Sequence, residues 1–149
     1  FKGTLYRQTM FAEFELRMGE LSAQGETLTA DLLSREYRAL NEAYFGPDMV
    51  SDGQIALEWS RIPHFYYNYY VFQYATGYSA AIALSRRILQ EGEPAVKDYL
   101  EFLSGGCSKD PIDLLKGAGV DMASPQPIQA ALDLFDSLLD EMETLTDFS

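Results

Sequence analysis

Apolar residues return along this chain at intervals of three and four, and no stretch reads as a strand pair, a repeat or a low-complexity tract. That spacing gathers them on one face of an α-helix, so the fold class is all-α, a helical bundle. In the first segment Leu5, Ala12 and Leu16 mark one face while Phe11, Phe14 and Met18 mark another. A helix apolar on most sides belongs in the interior of something larger. Leu33, Tyr37, Leu40 and Tyr44 define a second helix, ended by "FGPD" with Gly46 at the left-handed cap position and Pro47 beyond. Residues 47–63 lack a regular period and read as a connecting loop with a short turn around Leu57 and Trp59. A long helix is expected from about Tyr66 to Gln90, closed by Gly92. Pro94 suits the first turn of the next helix, with Val96, Leu100 and Leu103 on its apolar face and Gly105-Gly106 as the stop. A short helix follows Asp110-Pro111. Ser124-Pro125 then starts a last one, with Ile128, Leu132, Phe135, Leu139 and Met142 at helical spacing.

At 149 residues and 47% hydrophobic, the chain is read as one domain, 1–149, with a sizeable core. No run approaches the roughly 18 uncharged apolar residues that span a bilayer, so no membrane partner is expected. A net charge of −12 also argues against nucleic acid or an anionic membrane surface, which reward Lys and Arg. The single Cys excludes an internal disulfide framework, and the cytoplasm is the expected compartment. Phe1 is not an initiator, and "FKGTLYRQTM" opens in mid-pattern, so the chain is expected to be a fragment of a longer protein.

Much chemistry is missing. One His and one Cys, with no HExxH or CxxC spacing, do not make a metal site. No Gly-rich phosphate loop or G-x-S-x-G elbow occurs. Cys107 in "GGCSKD" reads as a small residue after a helix stop rather than a nucleophile, and the many carboxylates read as a solvated surface.

The exception is "RIPHFYYNYYVFQYATGYSAA", residues 61–81, which holds the sole histidine and six of the ten tyrosines. On a helix, Tyr67, Tyr70 and Tyr74 share one face, and Tyr66, Tyr69 and Gln73 lie on the adjoining side. His64 sits just before it, where Pro63 limits the backbone. An imidazole and phenols can donate together to a negatively charged oxygen. Aromatic packing with wet hydroxyls is the competing explanation. The second half, "ATGYSAAIAL", uses small residues that let a neighbouring helix approach, and reads as structural.

Taken together, "FKGTLYRQTMFAEFE", "RIPHFYYNYYVFQYATGYSAA", "YLEFLSGG" and "DLLKGAGVDMASPQPIQAAL" make the chain resemble the C-terminal part of the oligoendopeptidase F group. These are thimet-oligopeptidase-like zinc metallopeptidases, peptidase family M3. The resemblance covers almost the whole chain, in order. It implies the C-terminal half of a mostly helical catalytic domain, with a channel that admits short peptides and not folded proteins. It also implies a zinc cofactor held by an HExxH helix and a further Glu. Those blocks are absent here, so the fragment itself is expected to hold no metal and to be inactive alone, its partner being the N-terminal remainder of the same enzyme. Glu13 in "FAEFE" has no companion ligands and is not the zinc Glu. In such relatives a His followed by tyrosines binds the substrate carbonyl and stabilises the oxyanion. The resemblance matches His64 to that His. For the tyrosine the shared helical face favours Tyr67, Tyr70 and Tyr74, in that order of nearness to His64, so catalysis is expected of His64, Tyr67 and Tyr70 and substrate binding of Tyr66 and Tyr74. The alternative reading is a non-catalytic helical binding or scaffolding domain that kept the fold without the zinc half. The apolar first helix further predicts exposed apolar surface and self-association of the isolated fragment.

Overall fold

The computed structural model describes residues 1–146, and every regular element among them is helical. By its internal contacts the chain divides into two compact units, Phe1–Ala75 and Thr76–Ser149.

In the first unit a π-helical turn, Lys2–Tyr6, runs straight into helix α1, Arg7–Ala23. Of the two faces expected there, Phe11 and Phe14 are buried with Met10 and Leu21, while Leu16 is exposed. Helix α2, Ala30–Phe45, begins where the Thr29 hydroxyl accepts the Leu32 N–H at 3.2 Å. It ends at Gly46, whose φ of 74° needs a residue without Cβ. The expected turn around Leu57 and Trp59 is a 3-10 helix, Ile55–Arg61, and a second one, Pro63–Tyr66, follows at once. Met10, Phe11, Phe14, Leu33, Tyr37, Ile62 and Val71 form the core. Phe14 meets Tyr37 and Phe65 edge-on at 5.1 and 5.2 Å between ring centroids, the arrangement that aromatic quadrupoles favour.

One boundary differs. Helix α3 covers Phe72–Glu91 and does not reach back to Tyr66. Asn68 and Tyr69 take φ values of 46° and 59°, a left-handed conformation that no right-handed helix contains. The apolar period continues through them because rings packed in a turn leave the same spacing as rings on a helix.

In the second unit α3 continues, followed by α4, Glu93–Ser104, α5, Pro111–Gly117, and α6, Gln126–Leu145. Ala80, Leu84, Ala118 and Val120 make a smaller core, with Tyr99 and Phe102 against it. The face expected on α4 is the wrong one: Leu100 and Leu103 are 55% and 57% exposed, and Ala95 is buried instead. Tyr99 and Phe102 carry the same helical spacing and more apolar area, so burying their side releases more surface from water. Arg87 ties this unit together. Its guanidinium donates to Glu91 and Asp98 and, at 2.5 Å, to the Ala118 carbonyl. Gly119 makes room for it: a Cβ there would stand 2.3 Å from Arg87 Nη1, and φ is 82°. The small residues of α3 do not bring a helix close over their whole length. Gly77, Ala80, Ala81 and Leu84, with Tyr99 and Phe102, line an apolar groove of about 420 Å³.

Candidate functional site

Pro63 has its φ preset for a tight turn, and the three-residue period of the 3-10 helix it opens puts Ile62 and Phe65, three apart, on one side. Ile62 is buried and Phe65 packs on the core, which leaves His64 between them half-buried and facing the other way. The Tyr67 N–H closes the turn on the His64 carbonyl at 3.0 Å.

Three phenols surround the imidazole. Tyr74, in the first turn of α3, places its hydroxyl 3.2 Å from His64 Nε2. The Tyr70 ring stacks on His64 with 9° between planes, and Tyr67 meets it edge-on at 6.4 Å. Tyr70 is also edge-on to Tyr67 and to Tyr74, at 6.2 and 5.4 Å. The four residues are one cluster. His64 Nε2 either donates to the Tyr74 oxygen or accepts from its hydroxyl, according to tautomer. A hydrogen bond with Tyr70, and then burial, raises the Tyr74 phenol above its ordinary range and keeps its proton in place.

Thus Tyr67, Tyr70 and Tyr74 come together beside His64, but by a turn and not by a shared helix face. Tyr66 is 82% exposed and stands apart from the three rings that touch His64. Tyr69 points to α1: its hydroxyl would lie 2.3 Å from a Cβ on Gly19, so glycine at that position gives the ring its place.

Two buried carboxylates hold the surroundings, and neither stands out in the sequence. Glu15, 6% exposed, accepts the backbone N–H of Tyr69 at 2.6 Å. Glu58 accepts from the Tyr37 hydroxyl at 2.6 Å and from the guanidinium groups of Arg7 and Arg61. Burial pushes the Glu58 carboxyl up, but the hydrogen bonds from Tyr37 and Arg7 and the charges of Arg7 and Arg61 outweigh it and hold the group below its usual value. Burial, and then the bond to Glu58, drives the Tyr37 phenol far up. The only local signal is Glu58 three residues before Arg61. Arg7 lies 51 residues from Glu58, and Glu15 lies 54 from Tyr69. Glu13 accepts from the Tyr44 hydroxyl at 2.7 Å.

Among the described residues no group of three or more His, Cys, Asp or Glu side chains is placed to hold a metal ion, so the residues present do not fit a zinc site. Cys107 is free and exposed. No helix among them is long and apolar enough to cross a membrane.

The family model described as "Peptidase family M3" matches residues 2–134. Oligopeptidase PepF of Bacillus subtilis is 62% identical over 145 residues, which are 97% of this chain and 22% of that protein. The chromosomal oligoendopeptidase F of Lactococcus lactis subsp. cremoris is 43% identical over 147 residues, 99% of this chain and 24% of its own length. The crystal structure of oligoendopeptidase-F from Enterococcus faecium superposes with a TM-score of 0.95 at 49% identity, covering 100% of this chain and 29% of that one. The chain therefore spans about a quarter of the length of the relatives it matches. A match that runs over nearly every residue, in sequence and in backbone alike, means that the chain belongs to peptidase family M3.

Proposed function

We propose that this chain is the substrate-channel portion of a zinc metalloendopeptidase that cleaves short peptides in the cytoplasm, and that it supplies the donors for the oxyanion. The observation that carries this reading is the imidazole of His64 with three phenols around it, one hydroxyl 3.2 Å from Nε2. Peptide hydrolysis turns a carbonyl oxygen into an alkoxide. Donors held in advance at that oxygen strengthen their hydrogen bonds as its charge grows, and each contributes about 10²–10³ in rate. His64, Tyr67 and Tyr70 have this role, and Tyr74 steadies the imidazole and, with Tyr66, borders the peptide. The family membership supports the reaction class. Zinc and its ligands belong, in this reading, to parts of the longer protein outside this segment. The segment alone is then inactive.

The test is steady-state kinetics of the full-length protein on a short fluorogenic peptide. His64→Ala, and Tyr→Phe at Tyr67 or Tyr70, are expected to lower kcat and kcat/KM together, by about 10²-fold for the strongest donor, with KM and zinc content unchanged. Phe keeps the ring packing and deletes only the hydroxyl. If His64→Ala and all three Tyr→Phe variants at Tyr67, Tyr70 and Tyr74 keep near-normal kcat, the cluster is packing and not a site.

A further inference from the structure

We infer that Glu15 is a positioning residue for this cluster: its carboxylate selects the left-handed turn at Asn68-Tyr69 over a backward extension of α3, and so brings Tyr70 and Tyr74 to His64. The inference rests on the donor reading of the His64 cluster.

The segment has two conformations open to it. Its apolar and aromatic spacing from Tyr66 onward suits a helix, and a helix would spread Tyr67, Tyr70 and Tyr74 along one face instead of gathering them round the imidazole. The turn requires two successive non-glycine residues at positive φ. Asn tolerates that region, whereas Tyr is rarely found there. Burial does not hold the turn in place, because Tyr66, Tyr67, Asn68, Tyr69 and Tyr70 are all exposed. What does hold it comes from α1. Glu15 takes the Tyr69 N–H in a short bond of 2.6 Å to its side-chain oxygen, and the contact spans 54 residues of sequence. Gly19, one turn further along the same face, gives the Tyr69 ring its slot. Backbone and side chain of one strained residue are thus seated on a single face of α1. A helix starting near Tyr66 would leave the Tyr69 N–H among the unpaired donors of its first turn and Glu15 buried without this partner.

The experiment uses the full-length protein with Glu15→Met, which keeps the length of the side chain and removes the acceptor. Glu15→Gln retains a carbonyl oxygen, and Gly19→Ala fills the ring slot. Two quantities are read: hydrogen exchange by mass spectrometry on peptides covering residues 64–72, and kcat and KM on a short fluorogenic peptide. Glu15→Met and Gly19→Ala are expected to speed exchange in that stretch alone. They should lower kcat by about tenfold or more with KM and zinc content little changed, while Glu15→Gln keeps most of the activity. A side chain that served only stability would lower the melting temperature and leave kcat intact below it. Unchanged exchange in Glu15→Met overturns the inference whatever the kinetics. Faster exchange with unaltered kcat, when His64→Ala does lower kcat, removes the positioning role. If His64→Ala itself leaves kcat unaltered, the donor reading fails, and the exchange result alone decides whether Glu15 seats the turn.

Discussion

Burial pushes the Glu58 carboxyl up, and the donors around it more than offset that. Arg7, Tyr37 and Arg61 come from α1, α2 and the 3-10 turn, so one acid joins three segments just ahead of His64. Its folded pKa lies below the ordinary 4.5, so its contribution to stability is present above that value and is lost as pH falls through the folded pKa. The first unit is therefore expected to lose stability below about pH 4.5 more steeply in the native protein than in Glu58→Gln. At neutral pH, Glu58→Gln should cost about 1–3 kcal/mol, less than a fully buried pair would, because Arg61 is largely exposed. Denaturant melts across a pH series check both the cost and the change of slope. An unchanged acid limb would show that Glu58 is not the group that titrates.

At the level of the element, the helix ends follow local chemistry where a side chain or a glycine can satisfy them unaided. Thr29 does so for α2, and Thr29→Ala is expected to destabilise the first unit by about 1 kcal/mol, while Thr29→Asp should be neutral or better beside the helix dipole. Thermal unfolding of the two variants settles this. The start of α3 has no such local rule. Its Tyr-rich approach satisfies helical spacing and turn packing equally well, and a carboxylate on α1 breaks the tie. The packed side of α4 shows the same limit. Two apolar faces were available at helical spacing, and the larger rings of Tyr99 and Phe102 went inward.

Over the whole molecule, apolar side chains remain uncovered. Leu100 and Leu103 on α4 and Leu138, Leu139 and Met142 on α6 are all exposed, and so is Leu16 on α1. Exposed apolar side chains of this kind mark contacts to be made, and relatives that carry this segment are about fourfold as long. We expect the isolated 149-residue chain to self-associate and to bind an apolar dye. Leu100→Lys with Leu103→Lys should reduce both without lowering the melting temperature, since neither side chain is in the core. Sedimentation velocity and dye titration measure this. A monodisperse, dye-silent chain at high concentration would overturn the expectation.

The sequence alone determined the all-α class, the second helix with its glycine stop and the 3-10 turn near Leu57, because each rests on contacts within a few residues. It also carried the family, because long blocks of residues in order are specific even when their contacts are unknown. Only the tertiary structure decided that Tyr69 turns left-handed, that Tyr66 stands away from the cluster, which face of α4 is buried, and that Glu15 and Glu58 are not part of the solvated acidic surface. For the turn and for Glu58 the deciding partner lies far away in sequence, on α1, and for α4 the outcome is a competition between two apolar faces. Periodicity records which side chains share a face. It does not record what that face will meet.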